Sequence, residues 1–184
     1  MTHVLSMLVE NHQGVLSRIA GLFSGRGYNL ESITAGVTTD PQITRITLVC
    51  TGDDNVIDQS KKQLNKLIDV IKVNDLSPLP SLHRELALIK VRAKTNQRGE
   101  VFQVADVFRA RVLDVGLDSM VLEVTGSSDK IDNFIAVLQP YLIKEVARSG
   151  LISMERGRKQ ASPQTQPRKG ASEKLNNDFK ITIA

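Results

Sequence analysis

Tryptophan is absent from this 184-residue chain, which holds only two tyrosines and five phenylalanines. Its core must therefore be assembled from Val, Ile and Leu, which suits small layers of sheet and helix. Cys50 is the single cysteine, so no intramolecular disulfide can form. Its place in the apolar run Ile46 to Cys50 reads as a small buried hydrophobe, and a reducing compartment fits. No apolar stretch approaches the roughly 18 residues of a spanning helix, and the first residues lack a basic n-region with an apolar h-region. The expectation is a cytoplasmic protein without a membrane segment, or one in an organelle stroma if organelle-encoded. Phosphate-loop and dinucleotide glycine motifs are missing, and His3, His12 and His83 have no cysteine or acidic companion at metal-ligand spacing. No metal site and no catalytic residues are expected. Asp53-Asp54 reads as a pair of helix-start acids favoured by the dipole rather than as a catalytic pair.

The net charge of +4 is unevenly placed. Residues 1 to 155 carry 17 Lys/Arg against 18 Asp/Glu, whereas residues 156 to 184 carry 7 against 2. The body is nearly neutral and the tail is basic. The tail, 157–184, is dominated by Gly, Pro, Ser, Gln and basic residues as far as Phe179 to Ile183, and its composition predicts disorder.

Within the body the hydrophobic period switches regularly. Residues 3 to 10 read as a strand and 14 to 25 as an amphipathic helix with Val15, Leu16, Ile19, Leu22 and Phe23 on one stripe. Strands follow at 28–38 and 43–51, then a helix whose apolar face is Ile57, Leu64, Leu67 and Ile68, then a strand from Val70 to Leu76. Ser77-Pro78-Leu79-Pro80-Ser81 breaks the pattern, since proline neither continues a helix nor donates to a central ladder. The same order then recurs: strand Glu85 to Ala93, helix Gly99 to Arg109 with Val101, Phe102, Ala105 and Phe108 inward, strands near 110–115 and 119–125, helix Asp129 to Gln139, and strand Ile143 to Ala147. The prediction is an α+β fold of two ferredoxin-like βαββαβ units, residues 2–76 and 84–156 joined by a linker at 77–83, each an antiparallel sheet with helices on one face.

Asn11-His12-Gln13-Gly14-Val15-Leu16 marks the junction of the first strand and helix. Unpaired N–H groups and the positive dipole end of a helix start suit a carboxylate, and a glycine lets a ligand approach closely. Read alone, these residues also fit an ordinary turn tightened by Gly14. A second segment, Arg26-Gly27-Tyr28-Asn29-Leu30-Glu31-Ser32-Ile33, leaves the helix through Gly27 as a C-terminal stop and enters the second strand. Its strand start reaches the helix start only if another copy packs alongside; otherwise Asn29 merely caps a turn.

Residues 8–11, 14–18, 21–24, 26–32 and 62–70, together with Glu145-Val146-Ala147-Arg148-Ser149-Gly150, resemble the ACT-domain amino-acid sensors, and more closely the small regulatory subunits of acetolactate synthase, over about residues 2 to 157. That resemblance implies a separate catalytic subunit carrying thiamine diphosphate, magnesium and FAD, with no cofactor on this chain. It implies that the subunit activates formation of acetolactate from two pyruvates and confers feedback inhibition by valine, or by another branched-chain amino acid, bound between the ACT domains of a homodimer. By the same resemblance the effector would meet the backbone of Gly14, Val15 and Leu16 with His12 and Gln13 beside it. Asn11 and Asn29 would orient its polar groups, and Leu16, Leu30 and Ile33 would form its apolar wall.

Two other readings share the topology. An RNA-binding RRM stacks bases on aromatics of its central strands, but Val4 to Val9 and Ile43 to Cys50 contain none. The body is thus not expected to bind specific nucleic acid, and only the tail could make nonspecific phosphate contacts. The other is an ACT sensor serving a different partner, against which the EVARSG segment speaks.

Overall fold

The computed structural model describes residues 1–24 and 29–157, so the expected helix stop at Gly27, with Arg26 and Tyr28, and the tail beyond Gly157 lie outside the described residues. The first unit runs β1 (Thr2–Glu10), α1 (Val15–Ser24), β2 (Asn29–Val37), β3 (Ile43–Thr51), α2 (Asp54–Leu64) and β4 (Val70–Asp75). Its sheet order is β2-β3-β1-β4, antiparallel throughout its hydrogen-bonded pairs. The second unit repeats this with β5 (Ser81–Arg92), α3 (Arg98–Phe108), β6 (Arg111–Val115), β7 (Ser119–Gly126), α4 (Ser128–Leu138) and β8 (Ile143–Arg148), in the order β6-β7-β5-β8. Both are the βαββαβ arrangement read from the hydrophobic period.

Each sheet packs one face against its two helices. In the first unit Leu5, Met7, Val9, Ile46, Leu48 and Cys50 meet Val15, Ile19 and Phe23 of α1 and Ile57 and Leu64 of α2. The buried α1 residues recur every fourth position, which leaves Leu16, one step around the helix, 46% exposed. In the second unit Ile89, Val91, Met120 and Leu122 meet Val101, Ala105, Ile131, Phe134 and Leu138. The Phe108 and Phe134 rings lie 4.9 Å apart at a tilt of 41°, a favourable aromatic geometry.

Leu16 thus departs from the buried stripe expected for it, and further expectations need correction. Phe102 points outward, because the stripe of α3 runs through Val101, Ala105 and Phe108. Helix α2 ends at Leu64, where the Asn65 side chain donates to the Lys61 carbonyl, so Leu67 and Ile68 lie beyond the helix; Leu67 still packs on the core, whereas Ile68 is 90% exposed. Strand β5 begins at Ser81, which shortens the expected linker 77–83. Its first four residues pair with a further strand, β9 (Ile152–Glu155), that the period did not reveal. His83 pins this ribbon, with its ring nitrogens 2.7 Å from Ser81 Oγ and 2.8 Å from Ser153 Oγ.

Cys50 sits on the core face of β3, and burial, followed by the charges of Asp75 and Glu31, pushes its thiol up to about 11. Between the ordinary thiol value and 11 the unfolded chain releases a proton that the folded chain keeps, so stability must fall as pH rises through that window. Thiol labelling in the native state at pH 8 is expected to be slow and to accelerate sharply in urea; rapid native labelling would contradict this burial.

Candidate functional site

Helix α1 starts where β1 leaves the sheet, and Gly14 makes that junction with φ +87°, a backbone that suits glycine. The first intrahelical bond runs from Arg18 N to Gly14 O at 2.9 Å, so the N–H groups of Val15, Leu16 and Ser17 have no helical acceptor. Val15 is buried in the core and offers a ligand only its backbone, whereas Gln13, Gly14 and Leu16 are exposed. Asn11 is held on both sides, its N–H donating to Gln42 O at 2.7 Å and its Nδ2 to Pro41 O at 2.9 Å. Asn11 and His12 line an open cavity of about 510 Å³ together with residues of the β2–β3 turn and Ile71.

An ionic cluster at this junction escaped the sequence reading. The side chain of Asp69, 5% exposed, receives Arg18 Nη1 on Oδ2 at 3.1 Å and faces His12 Nε2 with Oδ1 at 3.1 Å. Glu10 Oε2 lies 3.1 Å from the same ring nitrogen. His12 therefore does have acidic companions: Glu10, two residues before it, and Asp69, which comes from the residue just before β4 and is brought near only by the fold. Glu10, His12 and Asp69 place three ligand-type atoms within 4.8 Å of one another. Arg18 pairs with Asp69, so the positive charge of its guanidinium offsets one of the two carboxylates of the cluster. A Cβ built on Gly14 would lie 3.7 Å from Arg18 Nη2, so a cationic group flanks the helix start.

The second predicted group sits on β2. Asn29 pairs with Thr51, the partner of Thr2, while Glu10 pairs with Ile43 at the far end of β1. Within one chain Asn29 thus lies a nine-residue strand length from the α1 start, roughly 26 Å at about 3.3 Å per step. The structure does not bring the two groups together in one copy. It does bring Leu30 and Ile33 to one face, although a separation of three puts residues on opposite faces of a regular strand. The register shifts between Leu30 and Ser32, leaving Glu31 as an extra residue that reverses the alternation, with Leu30 opposite Cys50 and Ile33 opposite Leu48 on the helix side. Thr51 Oγ1 donates to Glu31 Oε1 at 2.9 Å and steadies this bulge. β2 pairs only with β3 among the described residues, and Ile33 and Val37 are 43% and 59% exposed along its outer side.

The described chain offers no helix long and apolar enough to cross a membrane. Residues 5–72 match the family model of the AHAS small subunit-like ACT domain, and residues 84–157 match that of the small subunit of acetolactate synthase. A probable acetolactate synthase small subunit of Methanothermobacter thermautotrophicus is 50% identical over 157 residues, covering 85% of this chain and 94% of that protein. The acetolactate synthase small subunit of Mycolicibacterium smegmatis is 46% identical over 156 residues, covering 85% and 92%. The crystal structure of the small subunit from Thermotoga maritima superposes with a TM-score of 0.81 at 39% identity, covering 86% of this chain and 99% of that one.

Proposed function

Because this chain belongs to the family of acetolactate synthase small subunits, we propose that it is the non-catalytic regulatory subunit of that enzyme. In this reading it raises acetolactate formation by its catalytic partner and lowers it again when valine binds. Thiamine diphosphate, magnesium and FAD are held by the partner, and this chain supplies the sensor.

The observation that carries the effector site is the placement of its two halves at opposite ends of an uncovered edge strand. If the β2 edges of two copies pair antiparallel about a two-fold axis, Asn29 of one copy meets the α1 start of the other. The exposed Leu16, Ile33 and Val37 are then covered rather than left in water. Each of the two equivalent pockets receives an α-carboxylate on the N–H groups of Val15 and Leu16 beside the Arg18 guanidinium. Asn29 supplies a polar partner, and Leu30 and Ile33 supply a wall for a branched aliphatic side chain. Valine acts as an inhibitor only by binding two states of the complex unequally.

The test is acetolactate formation by the cognate catalytic subunit, with and without this chain, each with and without millimolar valine. Activation by the chain and reversal by valine are expected. A rate indifferent to both would leave an ACT sensor serving another partner as the better reading.

A further inference from the structure

The Arg148-Ser149-Gly150 segment is absorbed by neither the effector pocket nor the fold of the second unit alone. Gly150 follows β8 with φ +79°, and a Cβ there would lie 2.5 Å from Thr34 Oγ1 and 2.6 Å from Ser32 Oγ, so only glycine fits against β2. Thr34 Oγ1 donates to Ser149 O at 3.3 Å, and Leu151 N donates to Ser32 Oγ at 3.4 Å. The same turn is fastened to the second unit: Ser149 N donates to Leu86 O at 2.9 Å, Leu86 N donates to Ser149 Oγ at 3.0 Å, and Arg148 clamps Glu85 and Asp132.

Strand β2 thus has two working faces. The bulge at Glu31 sends Leu30 and Ile33 toward the helix side and the proposed ligand, while Ser32 and Thr34 point the other way, onto the turn of the second unit. We propose that Ser32, Thr34 and Gly150 are positioning residues through which valine occupancy between the ACT domains is transmitted to the second unit. A ligand that shifts β2 must move or break this contact, since the turn has no room to absorb a displacement toward it. The inference rests on the regulatory reading above.

The experiment compares the full chain with the Ser32→Ala/Thr34→Val double variant, which deletes both hydroxyls without adding bulk, and with Gly150→Ala, in which the turn must shift. Valine binding to the subunit is followed by calorimetry, and activation and inhibition in the reconstituted complex. The double variant is expected to bind valine and to activate within about two-fold of the parent, while its maximal inhibition factor falls by about five-fold or more. Thr34→Ser, which keeps the hydroxyl, is expected to retain inhibition. Unchanged inhibition in the double variant with binding intact would overturn the proposal, and so would a parallel loss of activation and inhibition, which marks a merely structural contact. Should Gly150→Ala fail to fold, the double variant alone decides between these outcomes. If the parent itself neither binds valine nor is inhibited, it is the regulatory reading that fails, and the two failures are thereby distinguished.

Discussion

Gly14→Asp is expected to raise the valine concentration for half-inhibition by about ten-fold or more, the equivalent of about 1.4 kcal/mol of lost binding, while activation of the catalytic subunit persists. Backbone strain alone does not produce this. A non-glycine residue at φ +87° costs about 1–2 kcal/mol, and aspartate is among the residues that bear such a backbone best. Space does not forbid it either, because the new Cβ would meet Arg18 Nη2 at an ordinary 3.7 Å. The effect comes from charge: the new carboxylate would pair with Arg18 beside the free N–H groups of the helix start and would repel the ligand's own carboxylate. Gly14→Ala carries at least as much backbone strain without the charge and is expected to retain most of the inhibition. Titrating valine against both variants in the reconstituted complex separates the two causes. Full inhibition of the aspartate variant would show that the carboxylate binds elsewhere.

Arg148→Ala is expected to cost about 3 kcal/mol of stability, near the lower end of the cost of breaking a buried ion pair. Its guanidinium donates Nε to Glu85 Oε1 and Nη2 to Glu85 Oε2, both at 2.7 Å, and Nη1 to Asp132 Oδ1 at 2.6 Å. These carboxylates, the Glu85 hydrogen bond first, push the guanidinium further above its ordinary value, so it stays charged at any pH the fold survives. The Glu85 side chain is 5% exposed, and without Arg148 its charge would keep, among the described residues, only the Ser128 hydroxyl at 3.3 Å. Arg148 itself is 35% exposed, which lets water relieve part of the loss. Replacing both partners by apolar residues, Glu85→Leu with Arg148→Met, is expected to cost much less than the single change, because no buried charge is then left unpaired. Urea unfolding midpoints of the two variants decide this; equal losses would mean that the pair acts through packing rather than charge.

The legible parts of this molecule were those that depend on near neighbours. Alternating apolar residues in β1 and β3 and the fourfold recurrence of Val15, Ile19 and Phe23 are direct statements about which side chains leave water, and the first unit follows from them. Errors arose where a side chain lies beside the buried stripe, as with Phe102, or a turn past the end of a helix, as with Ile68. Strand β9 was missed because it is only four residues long and three of them are exposed. A short, half-solvated ribbon carries little periodic signal.

The candidate site divides in the same way. Gly14, the helix start and the apolar character of Leu30 and Ile33 were readable because they are local demands of backbone and side chain. That Leu30 and Ile33 share a face was decided by the bulge at Glu31, a matter of register against β3. That Arg18 and His12 meet Asp69 was decided by the packing of β4 beside β1, and that Gly150 lies against Ser32 and Thr34 by the meeting of the two units. Hydrophobic period and turn chemistry act over a few residues, so a single chain of letters determines elements, their order and their inward faces. Contacts between residues distant in the chain arise only when a whole sheet closes around its core, and it is those contacts that give this site its charge and its link to the second unit.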